Sequence, residues 1–202
     1  MNNTIITGSP LNQDSKVLIM VHGRGASAQD ILSVANYLNV EGFTLIAPQA
    51  EGHTWYPLSF LAPTKNNEPH LSAALQTLDE TVKHVLSAGV TVANIYFLGF
   101  SQGACLTSEY TTRNAKRYGG IVMYTGGLIG DVVNTANYKG DFAGTPVFIG
   151  TSNPDFHVPV TRVEETVKVM EKMGANVTLK IYDGMPHTIS QDEIDTTNQL
   201  MF

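Results

Sequence analysis

Short aliphatic and β-branched runs recur along the chain, each followed by a longer stretch of helical spacing, and this alternation narrows the fold more than any other feature. The runs are residues 17–21 (VLIMV), 44–47 (TLIA), 95–98 (IYFL), 121–124 (IVMY), 147–149 (VFI) and 177–182 (VTLKIY). Most have no polar face, as parallel strands covered by helices on both sides require. Between them, Leu71, Ala74, Leu75, Leu78, Val82 and Val85 recur at three- and four-residue steps, which predicts a long amphipathic helix ending near Gly89. Val163, Val167, Met170 and Met173 repeat the pattern, with Gly174 at the position of a terminating glycine. Residues 30–38 predict a shorter helix and 192–200 a last one. Residues 5–7 (IIT) are a candidate edge strand. Strand–helix alternation of this kind implies an α/β fold around a mostly parallel sheet.

With 202 residues and 43% hydrophobic content, the chain is expected to form one domain over its full length, 1–202. No repeat, low-complexity tract or linker interrupts it. A formal net charge of −6 argues against nucleic acid as a partner. The densest cationic group, Arg113, Lys116 and Arg117, reads as the solvated end of a helix. One cysteine, Cys105, excludes an intrachain disulfide and any multi-cysteine metal site. The N-terminus lacks the basic start and apolar stretch of a signal peptide. No apolar run approaches the roughly 18 residues of a membrane span. A cytoplasmic location without stable membrane insertion is expected, and either a monomer or a homodimer is compatible with the sequence.

Residues 99–103 (GFSQG) follow a strand candidate directly and lead into a helix starting at about Gln102. Parallel sheets place ligand sites beyond the carboxyl ends of their strands. A G-x-S-x-G turn there holds its serine in a strained backbone, with the hydroxyl above the sheet and a helix N-terminus behind it. The spacing therefore marks Ser101 as a nucleophile that needs a base and an orienting acid downstream. Only His157 and His187 follow it among the histidines. His187 lies just past the last strand candidate and is the expected base. Asp155, just past the strand before that, is the expected acid. Asp131 and Asp141 are its main rivals, Asp183 sits too near a strand end, and Asp192 is read as a helix cap.

His157 is too close in sequence to Asp155 for the base role and is expected to line the pocket. Residues 22–26 (HGRGA), a glycine-rich turn after the first of the apolar runs, are the source of an oxyanion donor, the Arg24 backbone N–H. The backbone N–H of Gln102 is the second donor, its side chain being read as incidental. Residues 49–69 form the longest irregular stretch, and Trp55, Tyr56 and Phe60 there are expected to contact substrate. His53 in the same stretch is a weaker candidate, His70 and His84 read as surface or capping residues, and Cys105 as core.

HGRGA, GFSQGA, DFHVP and GMPHTI, in this order and spacing, resemble the phospholipase/carboxylesterase family of small α/β-hydrolases, which includes acyl-protein thioesterases and bacterial carboxylesterases. The resemblance runs from about Val17 to His187, and TWYPLSF is closer to the bacterial esterase members. Asn153-Pro154 lengthens the approach to the aspartate relative to many relatives. The resemblance implies an α/β-hydrolase fold without a separate cap domain. It places nucleophile, acid and base on Ser101, Asp155 and His187, and the oxyanion donors on Arg24 and Gln102. It implies hydrolysis of an ester or thioester through an acyl-enzyme, with no metal or organic cofactor. Short- to medium-chain acyl esters are the expected substrates, an acyl-protein thioesterase or lysophospholipase-type deacylase is the alternative, and a catalytically silent binding protein is the rival class. The acidic balance mildly disfavours strongly anionic substrates such as acyl-CoA.

Overall fold

A computed structural model describes residues 3–202. Its strands are β1 (Thr4–Gly8), β2 (Val17–Val21), β3 (Thr44–Pro48), β4 (Ile95–Phe100), β5 (Gly120–Tyr124), β6 (Pro146–Asn153) and β7 (Asn176–Asp183). Its α-helices are α1 (Ala28–Ser33), α2 (His70–Ser87), α3 (Gln102–Arg113), α4 (Val160–Lys172) and α5 (Gln191–Met201). The strands form one seven-stranded sheet in the order β1-β3-β2-β4-β5-β6-β7. All neighbours are parallel except β1, which runs antiparallel to β3 along one edge. This is the α/β-hydrolase architecture, and no cap domain stands over it among the described residues.

The alternation of β2 shows why both faces are covered. Val17, Ile19 and Val21 belong to the core beneath α2, α3 and α4, whereas Leu18 and Met20 belong to the core beneath α1 and α5. All five side chains are buried, so a polar residue at any of them would be stranded without water. The edge strands β1 and β7 are partly exposed, which accounts for the weaker pattern of both in the sequence. The helix expected over 30–38 is two shorter pieces, α1 and a 3₁₀ turn at Val34–Tyr37. Ser27 and Asp30 form a capping box that starts α1 two residues before the predicted onset. Gly174 follows α4 at a φ of 84°, where a side chain would be strained.

Chain order reverses between β2 and β4. From β2 the chain steps outward to β3, then returns to lay β4 on the other side of β2. Such a switch point leaves a crevice at the carboxyl ends of the two central strands. Val21 pairs with Gly99 there, so the turns that follow β2 and β4 leave the sheet side by side.

Candidate active site

Ser101 is the residue between β4 and α3, at φ 54° and ψ −119°. A non-glycine residue holds such a backbone only when its surroundings enforce it. Here the enforcement is steric and hydrogen-bonded. The Ser101 N–H donates to the Tyr124 carbonyl at 2.9 Å, and the Ser101 carbonyl accepts from the Cys105 N–H at 3.0 Å. The two glycines let helix and strand close to backbone contact. A Cβ on Gly103 would lie 2.1 Å from the Val21 carbonyl oxygen, and one on Gly99 would lie 2.5 Å from the Gly103 oxygen.

His187 lies in the loop after β7, and its Nε2 is 2.8 Å from Ser101 Oγ. Its Nδ1 is 2.7 Å from Asp155 Oδ2. A carboxylate only accepts, so Nδ1 carries the proton and donates it, which leaves Nε2 to accept from the serine hydroxyl. Asp155 is held on every side: Ser152 Oγ donates to Oδ2 at 3.2 Å, and the backbone N–H groups of His157 and Val158 donate to Oδ1 at 2.7 and 2.8 Å. Burial alone would raise its pKa, but the bonds from His187, Val158 and His157 outweigh that and hold the carboxyl below its ordinary value. The rivals lie elsewhere. Asp141 accepts from the Ala143 N–H in its own turn, and the Asp131 carbonyl accepts from Arg162. Asp192 does not cap α5. Ser190 does, reciprocally with Glu193, because it precedes the first helical residue whereas Asp192 lies within the first turn, and Asp192 accepts instead from Lys180 and Tyr182.

A cavity of about 840 Å³ opens over Ser101 and His187. His157 lines it, as do Arg24, Gln102, Tyr56 and Phe60, together with Leu58, Leu61, Phe156 and Val158. The backbone N–H groups of Arg24 and Gln102 have no protein acceptor among the described residues. That of Gln102 is an orphan by position, being the first of α3. Cys105 forms part of the floor, where burial pushes its thiol up to about 12 and keeps it neutral.

Trp55 is the expectation that fails. Its indole does not line the cavity but is buried, donating Nε1–H to the His22 carbonyl at 2.8 Å and resting on the His22 ring. A large aromatic with one donor satisfies both its area and its N–H by turning inward here. His53 likewise braces the turn after β2, its carbonyl accepting from the Gly25 N–H and its Nδ1 bonding the Ala26 carbonyl.

Two buried polar residues behind the site carry roles not foreseen in the sequence. The Gln102 side chain accepts from the Trp55 N–H at 3.0 Å and donates to the Tyr56 carbonyl at 2.8 Å, so it clips residues 55–56 to the elbow formed by residues 99–103. His22 donates from Nδ1 to the Gly23 carbonyl and accepts at Nε2 from the Ala50 N–H. Burial lowers its pKa despite the opposing pull of that carbonyl, which suits this neutral tautomer.

Known proteins share this fold. The solved structure of a phospholipase/carboxylesterase from Dyadobacter fermentans is 50% identical, with a TM-score of 0.96 over 98% of this chain and 95% of that one. A probable carboxylesterase, SOBER1-like, of Arabidopsis thaliana is 24% identical over 144 residues, 70% of this chain and 55% of the relative. Acyl-protein thioesterase 1 of Saccharomyces cerevisiae is 29% identical over 129 residues, 60% of this chain and 55% of the relative. The chain thus spans about half the length of these two curated relatives. The sequence profile of the phospholipase/carboxylesterase group matches residues 2–200, nearly the whole chain, and the chain therefore belongs to the phospholipase/carboxylesterase family of α/β-hydrolases.

Proposed function

We propose that the chain is a serine carboxylesterase that cleaves short- to medium-chain acyl esters through an acyl-enzyme on Ser101. The hydrogen-bonded series Ser101–His187–Asp155, with contacts of 2.8 and 2.7 Å, carries this reading. His187 takes the serine proton as Oγ attacks the acyl carbonyl, then gives it to the departing alkoxide. Water, deprotonated by the same imidazole, hydrolyses the acyl-serine. Asp155 fixes the tautomer and stabilises the imidazolium. The Arg24 and Gln102 N–H groups receive the negative oxygen of each tetrahedral intermediate. The apolar wall of Phe60, Leu61 and Val158 suits an acyl or alcohol chain, and the cavity's size suits a small ester.

A fluorophosphonate probe should label the wild type and not Ser101→Ala. With p-nitrophenyl butyrate, Ser101→Ala should lose on the order of 10⁴- to 10⁶-fold in kcat and Asp155→Asn about 10⁴-fold. A mild Asp155→Asn effect beside a severe one at Asp131 would reassign the acid. An unlabelled wild type would move the protein to the silent binding class. A matched panel of oxyesters, thioesters and amides separates the esterase from a thioesterase.

A further inference from the structure

Every acidic side chain is absent from the wall of the cavity over Ser101, although the chain as a whole carries a net charge of −6. The one permanent charge among the lining residues is the Arg24 guanidinium. No carboxylate lies within ion-pairing distance of Arg24 among the described residues. The guanidinium is nevertheless fixed. Nη1 donates to the Pro57 carbonyl at 2.9 Å, Nη2 donates to the Leu58 carbonyl at 2.7 Å, and Cζ lies 6.0 Å from the centre of the Tyr56 ring. Two of five N–H donors are thereby used. The Nε–H and one N–H on each Nη remain, in the planar fork that matches a carboxylate.

We propose that the substrate of this site is an ester bearing a carboxylate a few bonds from the scissile carbonyl, and that the Arg24 side chain receives that carboxylate. The inference rests on the esterase reading and narrows its substrate. It reverses what net charge alone suggests, because net charge describes the whole surface whereas attraction within a crevice is set by its own walls. Arg24 is the residue whose backbone N–H faces the oxyanion, so its side chain starts one residue from the reacting carbonyl. A carboxylate on either the acyl or the alcohol part falls within that reach. A strut role, pinning residues 57–58 to the turn after β2, is served by the two carbonyl bonds alone. It gives the cation no reason to stand unpaired in the cavity wall.

The test compares kcat/KM for monoethyl glutarate (carboxylate on the acyl side), 3-acetoxypropionate (carboxylate on the alcohol side) and their uncharged ethyl esters. Wild type should favour at least one anionic member about tenfold at low salt. The preference should shrink between 20 and 500 mM NaCl, on the order of the screening expected for an exposed cation. Arg24→Gln should abolish the preference and Arg24→Lys should keep part of it; the ratio is read because any damage to the oxyanion turn lowers both substrates alike. Equal or inverse preference in wild type, or a ratio unchanged in Arg24→Gln, overturns the inference while leaving the esterase reading intact. If no ester is turned over, that reading falls instead. Calorimetric binding of monoethyl glutarate to Ser101→Ala, absent when Arg24→Gln is added, then decides the carboxylate site alone. Should Arg24→Gln not fold, the wild-type ratio and its salt dependence decide between the two outcomes.

Discussion

Gln102 does two things with one residue. Its backbone N–H opens α3 toward the cavity, and its side chain satisfies a buried N–H and a buried carbonyl of the neighbouring loop. Gln102→Leu retains the first and removes the second, leaving the Trp55 N–H and Tyr56 C=O unpaired. Each buried orphan costs about 1–3 kcal/mol, so urea denaturation should show a loss of about 2 kcal/mol or more. Esterase activity should fall about tenfold with kcat, because the loop that borders the site loses its register. Gln102→Glu should behave nearly as badly, since a carboxylate still accepts from Trp55 but faces the Tyr56 oxygen with no donor. A stable, fully active Gln102→Leu would show the clip to be dispensable. This residue also marks the limit of what the sequence displays. Ser101, Asp155 and His187 are visible because each follows a strand, and strand ends converge in a parallel sheet. The pairing of Gln102 with residues 55–56 depends on an aperiodic loop folding back over the elbow, and no local pattern encodes that. The same reason conceals His22 and sends Trp55 inward against expectation.

Among the elements, α5 shows how a helix end positions a loop. Ser190 and Glu193 bond reciprocally, the Glu193 carboxylate accepting from the Ser190 N–H at 2.7 Å, and so close the loop that carries His187. Glu193 is fully buried, and its other carboxylate oxygen, Oε1, has no partner. Burial therefore raises its pKa, outweighing the bonds from Ser190. A carboxyl whose folded pKa is raised stabilises the fold in its protonated form. That contribution is complete below the ordinary carboxylate value of about 4.3 and is lost as pH rises through the folded value. Glu193→Gln keeps an acceptor for Ser190 and carries no charge. Its Tm relative to wild type should accordingly improve from pH 4 to pH 8, and a difference that stays flat or falls would refute the cost assigned to the buried carboxylate. The existence of α2, α4 and α5 is legible from their periods because each lays one apolar stripe on the sheet. The length of α3 is not: its Thr, Ser and Glu residues are buried through to Thr112, sealed between the sheet and the segments around Ile129 and Tyr138. A polar helix in the middle of a protein has no stripe to read.

For the molecule as a whole, the question is whether the 49–69 segment moves apart from the sheet or belongs to the same folding unit. Its attachments point to one unit. The Trp55 N–H and indole N–H reach Gln102 and His22, Arg24 holds the carbonyls of Pro57 and Leu58, and the Gly130 N–H donates to the Phe60 carbonyl. Asn67 is buried and ties the segment to itself by accepting from the Leu58 N–H and donating to the Ser59 carbonyl. Trp55, Tyr56 and Phe60 join the same core as β2, β4 and α3. Opening the segment would expose those three aromatics and orphan several buried groups, a cost comparable with a sizeable fraction of the roughly 5–15 kcal/mol that holds a domain folded. The chain has a single tryptophan, and it lies in this segment, so its fluorescence reports the segment while far-UV circular dichroism reports the helices and sheet. Urea curves from the two probes should coincide in midpoint and slope, as for one cooperative domain. A fluorescence transition at clearly lower urea would instead identify 49–69 as a separately opening cover. Gln102→Leu should lower both midpoints together, because the tie it cuts joins the tryptophan's own backbone to the same cooperative unit.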